Sequence, residues 1–231
     1  IRFWAAMTGM IHSPERGTYV PTALGEAIFG SNSDGFDPYM EDLQTIWLLH
    51  WKLSTIKDEP LLAWHMLSGR WQEPELAPSP LISRGKKLAE ETDTRASNSS
   101  LKGHFTVFFH TYAGSRVTRS SLDEESLDSP LALLNLLEFR YQRKNLKGKL
   151  EPVYAFRGGR RPELSDELFS YAILDYWRQV SPNEQTLSFQ NIAHAPGSPG
   201  QVFKLSDQEV RERLERVSGG RWFDYSHSSL I

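Results

Sequence analysis

The stretch Ile192-Ala-His-Ala-Pro-Gly-Ser-Pro-Gly-Gln-Val-Phe-Lys-Leu205 places a corner rich in glycine and proline between two apolar segments. Ser198 can cap a helix that opens with Pro199, because proline fits the first helical position, where its missing N–H is not needed. In a helix-turn-helix this corner is the turn, and Gln201 and Lys204 then lie on one face of the second helix as possible DNA contacts. A purely structural tight corner explains the same residues. The spacing does not match a P-loop, so the stretch does not indicate nucleotide hydrolysis.

The flanking segments predict a mainly α protein with small β-hairpins, an α+β fold of tandem winged-helix-like or helix-turn-helix modules. Apolar residues recur every three or four positions in 41–54 and 166–180, which indicates helices with one buried face. Two hairpins are expected where strand-like residues flank the corner Pro14–Gly17 and the turn Asn145–Gly148. Thr22 is expected to cap the helix that follows the first hairpin.

These elements divide the chain into four parts. They are the end of an N-terminal winged-helix module (1–40), a helical middle region (41–114), a linker (115–130) and a C-terminal winged-helix-like module (131–231). The last module is predicted to end with a helix at 207–217 and a strand at 221–226. Because helical spacing is already under way at Ile1, with no capping residue before it, the earlier helices of the first module are expected to lie ahead of this residue.

Composition limits the possible function classes. The 231 residues contain no cysteine, which excludes disulfides, thiolate zinc sites and cysteine nucleophiles and fits a reducing, cytoplasmic environment. No run of 18 apolar residues exists, so no membrane span is expected. The net charge of -3 means that any contact with nucleic acid depends on local clusters of basic residues.

One such cluster lies in the second hairpin and the loop after it. Eight cations stand against the single acid Glu151, and eight minus one gives a local charge of +7; the cations are Arg140, Arg143, Lys144, Lys147, Lys149, Arg157, Arg160 and Arg161. Basic side chains neutralise DNA phosphates, and the two glycines in R-G-G-R-R at 157–161 allow backbone N–H groups to approach an anion. The alternative is a solvated hairpin whose lysines protect an edge strand from aggregation.

A second group of polar residues surrounds a predicted helix start. Ser99 or Ser100 is expected to cap this helix, and both residues, with Lys102, could contact the DNA backbone. An ordinary capped helix explains them as well. No H-E-x-x-H or comparable spacing indicates a metal site, and no G-x-S-x-G elbow is present. The sequence therefore identifies no catalytic residue.

Several longer segments carry a resemblance to a known family. They are I-R-F-W-A-A-M-T-G-M-I at 1–11, L-G-E-A-I-F-G at 24–30, D-G-F-D-P-Y at 34–39, T-I-W-L-L-H-W at 45–51, S-L-D-S-P at 126–130 and L-S-F-Q-N-I-A-H-A-P-G-S-P-G-Q-V-F-K-L at 187–205. In these segments the chain resembles a bacterial family, long labelled as a domain of unknown function, that accompanies DNA phosphorothioation genes. Its best-known member class is the B component of the single-strand phosphorothioation (Ssp) defence system, which is unrelated to the protease adaptor of the same name.

The resemblance implies a protein that binds and nicks DNA, so that partner proteins can replace a backbone oxygen by sulfur. It implies an ATPase and a desulfurase as partners and an Mg²⁺- or Mn²⁺-dependent endonuclease activity, although no cofactor is evident in the residues. No catalytic motif of the family transfers to a position of this chain. A non-catalytic scaffold that recruits the ATPase and the desulfurase to DNA is the alternative.

Overall fold

The computed structural model describes residues 1–30, 35–57, 61–91, 97–113, 129–220 and 222–226. The helices are α1 (Arg2–Met7), α2 (Ala23–Phe29), α3 (Leu43–Thr55), α4 (Leu62–Leu67), α5 (Pro78–Glu91), α6 (Asn98–Ala113), α7 (Asp166–Val180), α8 (Phe189–Ala193), α9 (Pro199–Val202) and α10 (Asp207–Val217). The strands are β1 (Ile11–His12), β2 (Val20–Pro21), β3 (Leu137–Lys144) and β4 (Leu150–Phe156), and a 3₁₀-helix at Pro130–Leu134 precedes β3. The predicted mainly α fold with small hairpins is confirmed. The predicted linker 115–130 lies outside the described residues except for its last two.

Polar side chains fix several helix starts. The Thr22 hydroxyl accepts the N–H of Gly25 at the start of α2, and the Ser165 hydroxyl accepts the N–H of Leu168 at the start of α7. Each bond satisfies one of the N–H groups that a helix leaves without a partner in its first turn. The cap at Thr22 was predicted from the sequence, because a capping interaction involves residues only three positions apart.

The core is built around α3. Ile46, Trp47 and Trp51 on this helix are fully buried, and the ring of Phe203 lies 5.6 Å from that of Trp47 and 5.4 Å from that of Trp51. Phe203 follows α9 directly, so the glycine- and proline-rich corner packs against the central helix. One hydrophobic core therefore joins the predicted middle region 41–114 to residues of 131–231.

A buried polar chain crosses this core. The indole N–H of Trp64 donates to the Tyr112 hydroxyl (2.8 Å), whose oxygen lies 2.5 Å from His50 Nδ1. The other ring nitrogen of His50 lies 3.0 Å from the carbonyl oxygen of Val202. Since that carbonyl can only accept, His50 Nε2 carries the proton, and Nδ1 accepts from the tyrosine. Burial lowers the pKa of His50 to about 4, so the ring is neutral.

Each predicted hairpin is a two-stranded antiparallel sheet. In the first, Ile11 pairs with Pro21; in the second, the register runs from Leu137 opposite Phe156 to Lys144 opposite Leu150. The main chain of Tyr154 also forms two hydrogen bonds with Leu76, at 2.8 and 2.9 Å, which fix the second hairpin to the segment before α5.

The prediction of a strand at 221–226 is wrong, because the described residues 222–226 form no strand. The aromatic residues of this segment are typical of a strand, but the segment pairs with no strand in the part that the structure describes. It runs back along the end of α10, where the Ser218 hydroxyl accepts the N–H of Tyr225 (2.9 Å). Across the described ranges, no helix is long and apolar enough to cross a membrane.

Candidate nucleic-acid interface

The second hairpin ends in a turn that its own side chains hold. Asn145 Oδ1 accepts the N–H groups of Lys147 (2.9 Å) and Lys149 (3.1 Å), and the N–H of Gly148 donates to the Asn145 carbonyl (2.9 Å). Gly148 has φ +71°, a left-handed conformation that glycine adopts without a steric penalty. The tip of the hairpin, which we define as residues 144–150, is therefore held in one conformation.

Two arginines on β3 are neutralised by neighbouring carboxylates. Arg140 lies 3.1 Å from Glu138, and Arg143 lies 3.2 Å from Glu151 and 3.6 Å from Glu75. Two of these acids, Glu75 and Glu138, lie outside the segment 140–161, so counting charge within that segment overstated the charge of the hairpin.

The loop after β4 is neutralised in the same way. Arg157 lies 2.5 Å from Glu163, and Arg160 lies 2.7 Å from Glu212 on α10. Arg160 links the loop to α10, whereas Arg157 pairs with a carboxylate of the same loop. Because Arg160 is largely exposed, its ion pair is weakly held and can open when a phosphate approaches.

Arg161 is fully buried, which corrects its assignment as a DNA contact. Its guanidinium donates to the carbonyl oxygen of Arg157, and its backbone N–H donates to the Glu209 carboxylate (2.9 Å). Glu209 also binds Arg213 (3.0 Å). One backbone N–H of the R-G-G-R-R segment, that of Arg161, thus binds a carboxylate of the protein itself, and the approach of an anion at the two glycines stays a prediction.

Three of the eight cations remain at the tip of the hairpin. Lys144, Lys147 and Lys149 are exposed, and none of them forms a salt bridge with a carboxylate in the described part of the chain. Leu146, between them, is also fully exposed. Sequence reasoning missed Leu146, although a leucine at the centre of the turn Asn145–Gly148 is a visible signal, since such positions favour polar residues.

The corner at 197–204 is structural, so two of its predicted contacts need correction. Ser198 is fully buried and caps α9, as predicted, by accepting the N–H of Gln201. The ammonium of Lys204 points inward, where it donates to the Trp71 carbonyl (3.0 Å) and lies 4.3 Å from the centre of the Phe156 ring. Burial lowers the pKa of Lys204 to about 7. Ser198 and Lys204 are thus unavailable to DNA.

Gln201, the third predicted contact of this corner, is half-buried. Its side-chain nitrogen lies 3.5 Å from the Ala193 carbonyl oxygen. The helix that carries it, α9, has only four residues, and the glycine at its second position packs against α8: a Cβ on Gly200 would overlap the Ala193 carbonyl. The alternative of a tight structural corner therefore accounts for this stretch.

The start of α6 is exposed, as its predicted role requires. Ser99, Ser100 and Lys102 all lie at the surface. The cap lies two or three residues before the predicted position, because it is the Ser97 hydroxyl that accepts the N–H of Ser100 (3.1 Å). The capping hydrogen bond is thus made by Ser97 and not by Ser99 or Ser100. Contact of Ser99 and Ser100 with DNA stays a prediction.

Two carboxylates of α7 are engaged by neighbouring side chains of the protein. Asp166 lies 2.9 Å from Arg213 and 2.7 Å from Arg216, and its hydrogen bond with Arg216 holds the pKa of Asp166 below its usual value. Asp175 accepts the Trp51 indole N–H (2.8 Å) and lies 3.3 Å from a lysine on α3. No group of three or more acidic or histidine side chains that could hold a metal occurs among the described residues.

The fold is similar to that of proteins of known structure. Two crystal structures of SspB, one of them bound to magnesium ion, match this chain with a TM-score of 0.74 and 22% sequence identity. In both cases the match covers 94% of this chain and 63% of the SspB chain. No curated protein matches the sequence. Residues 1–228 match a family described as a protein of unknown function, DUF4007, and the chain belongs to that family.

Proposed function

We propose that this protein is a DNA-binding component of a DNA phosphorothioation system, and that the tip of the second hairpin contacts the phosphate backbone. The observation that carries the proposal is the set of three exposed lysines, Lys144, Lys147 and Lys149, on a rigid turn, none of which forms a salt bridge with a carboxylate of the described residues. The likeness to SspB and the sequence resemblance both support the assignment to this system.

The arrangement of charge favours contact through the tip rather than through the whole hairpin. DNA attracts basic side chains by releasing the counterions that surround its phosphates. The ion pairs of Arg140 and Arg143 must open before these arginines can bind a phosphate, whereas the tip lysines have no salt bridge to break among the described residues. The start of α6, with Ser99, Ser100 and Lys102, supplies a second contact. In winged-helix terms, the hairpin acts as the wing.

The fold connects these two contacts. Phe109 on α6 stacks on Tyr154 of β4, with ring centroids 4.5 Å apart and planes at 18°. This contact lies in the core, where Phe109 and Tyr154 are buried, so the hairpin and α6 move as one unit. A duplex that contacts both surfaces binds with two groups of charges in a fixed geometry, which reduces the entropy lost on binding.

Nicking of DNA is a separate proposal, which rests on the sequence resemblance, and the chain spans 63% of the length of the SspB structures. One of those structures is described as magnesium-ion-bound, so the test is conversion of supercoiled plasmid to open circle with Mg²⁺ or Mn²⁺. Conversion without an added metal would contradict metal dependence. Metal-dependent conversion by residues 1–231 would place the active site within this chain.

A scaffold role has one supporting observation. Phe36 and Tyr39 are 88% and 82% exposed, on a turn that Asp37 holds by accepting the N–H groups of Glu41 (2.8 Å) and Asp42 (3.1 Å). Exposed aromatic side chains in a rigid segment are typical of protein–protein contact sites. This surface is a candidate site for the ATPase or desulfurase partner.

DNA binding is tested with two matched double variants. Lys147→Ala/Lys149→Ala removes two charges from the tip, and Lys86→Ala/Lys87→Ala removes two exposed charges from α5. If each tip lysine contacts one phosphate, the slope of log K against log salt falls by about 1.8. Affinity for a duplex then falls about 60-fold at 0.1 M salt and about 9-fold at 0.3 M salt, as measured by fluorescence anisotropy.

The control variant distinguishes a local contact from a general effect of charge. Lys86→Ala/Lys87→Ala changes the net charge by the same amount, so it should change the salt slope by much less than the tip variant. Equal losses of affinity in both variants would show that only net charge matters, and unchanged affinity in the tip variant would refute the hairpin as the DNA contact.

A further inference from the structure

The apex of the second hairpin presents an apolar side chain to solvent. Leu146 is the first of the two central residues of the turn that closes with the Gly148 N–H to Asn145 carbonyl hydrogen bond. It is fully exposed, and Leu150 beside it is 65% exposed. Exposure of a leucine is common on protein surfaces, but here the leucine lies at the apex of a β-ribbon among three lysines that form no salt bridge within the described ranges.

The turn keeps Leu146 pointing away from the protein. Asn145 Oδ1 binds two backbone N–H groups on the far side of the turn, from Lys147 and Lys149, and the Asn145 N–H donates to the Lys149 carbonyl (2.8 Å). The loop therefore cannot fold back to bury the leucine without breaking these bonds. The turn is therefore preorganised, so a contact with Leu146 forms without a further loss of loop conformational entropy.

Acidic residues limit how deeply the hairpin can enter DNA. Glu151 lies directly opposite Arg143 in the register, and Glu75 contacts both Arg143 (3.6 Å) and the Tyr141 hydroxyl (2.7 Å). Beyond the pair Lys144–Leu150 the hairpin carries no acid. Phosphates repel carboxylates, so the ribbon is expected to enter a groove only as far as this pair.

This limit favours the minor groove. A complete two-stranded ribbon fits the major groove, which is about 12 Å wide, but lying along that groove would bring the acids of the hairpin close to phosphates. The minor groove is about 6 Å wide, which suits a single apolar side chain at the apex of a turn. Apolar wedges of this kind partly unstack a base step and bend the duplex towards the major groove.

We propose that Leu146 enters the DNA minor groove as an apolar wedge, while Lys144, Lys147 and Lys149 bind the phosphates on both sides of the groove. This inference rests on the proposed DNA-binding function. The substrate is a duplex with a readily unstacked step, and the preferred steps are the flexible pyrimidine–purine steps TA and CA. The protein would in this way select a deformable site without reading base edges.

The test measures bending and unstacking separately from affinity. A short duplex labelled at both ends reports bending by energy transfer, and 2-aminopurine placed at a central TA step reports unstacking by increased fluorescence. With wild-type protein we expect both signals to change on binding. Leu146→Ala should remove both changes and reduce affinity no more than about tenfold, while the salt slope stays that of the wild type, because the lysines remain.

Three further variants complete the test. Leu146→Met keeps an apolar wedge and should retain both signals, which would separate a wedge from an effect on folding. Leu133→Ala removes an exposed leucine outside the hairpin and should change neither signal. Lys147→Ala/Lys149→Ala should reduce affinity and the salt slope.

The outcomes separate the two proposals. If Leu146→Ala bends and unstacks the duplex as the wild type does, while the lysine variant binds weakly, the wedge is refuted and the DNA-binding function stands. If the lysine variant binds as tightly as the wild type, or if the wild type binds no duplex, the function proposed for the hairpin fails and the wedge fails with it.

Discussion

Replacing Lys204 by methionine should stabilise the protein, and by more at neutral than at alkaline pH. The ammonium of Lys204 lies between the Trp71 carbonyl and the Phe156 ring and forms no salt bridge with a carboxylate in the described part of the chain, and burial lowers its pKa from 10.5 to about 7. Methionine has a similar volume and packs well against aromatic rings. It removes the buried charge and also the hydrogen bond to Trp71, a loss of about 1 kcal/mol that does not depend on pH.

The sign and size of the effect follow from proton linkage. Between pH 7 and pH 10.5 the unfolded chain holds a proton on Lys204 that the folded protein has lost, so the stability of the wild type rises with pH in this window. The slope approaches 1.4 kcal/mol per pH unit in the middle of the window, which amounts to about 2 kcal/mol between pH 7 and pH 9. Below pH 7 both states are protonated, and the slope disappears.

The assay is urea unfolding followed by tryptophan fluorescence at pH 6, 7, 8 and 9, with wild type and variant compared at each pH. The absence of cysteine leaves this window free of thiol titration, and other groups cancel in the comparison. The advantage of Lys204→Met should change by less than about 0.5 kcal/mol from pH 6 to 7 and should shrink by about 2 kcal/mol from pH 7 to 9. Lys102→Met, at an exposed position, should run parallel to the wild type. A constant difference between wild type and Lys204→Met at all four values would refute the reasoning.

Two further predictions concern stability, each with a matched control and each measured by urea unfolding at pH 7. Tyr112→Phe removes the hydroxyl that joins the buried side chains of Trp64 and His50, and it should lower the free energy of unfolding by about 2–4 kcal/mol. The control is Tyr176→Phe, because the Tyr176 hydroxyl makes no hydrogen bond within the described structure. This control should change the free energy of unfolding by less than about 0.5 kcal/mol. Equal effects of the two changes would contradict the role given to the polar chain. Gly200→Ala should lower the free energy of unfolding by about 1–3 kcal/mol, because the new Cβ meets the Ala193 carbonyl of α8. Its control, Gly103→Ala, lies in α6 with open space around it and should raise the free energy of unfolding by about 0.5–1 kcal/mol. A stabilising Gly200→Ala would show that α8 and α9 pack less closely than described.

Local features of the fold were accessible from the sequence. The helix caps at Thr22 and Ser165 and the turn Asn145–Gly148 each involve residues within five positions, so their chemistry is visible in a short window. The second hairpin was predicted for the same reason, since alternation on both sides of a turn defines an antiparallel pair. The strand predicted at 221–226 was wrong because a strand needs a hydrogen-bonded partner strand, and the residues of one segment do not show whether a partner is present.

The candidate site was predicted less well, because charge is neutralised over long separations. Arg161 is buried by contacts with Glu209, 48 residues away, and Lys204 donates to Trp71, 133 residues away. Neither distance leaves a pattern in the sequence.

The sequence by itself determined the kinds of element, the position of the basic cluster and the resemblance to a family, since these depend on residue types and short spacings. Only the tertiary structure decided which cations remain available. Packing brings Glu75, Glu163, Glu209 and Glu212 onto the arginines, and leaves the lysines of one turn facing solvent. A charge counted along the chain becomes a binding surface only when folding places no opposite charge beside it.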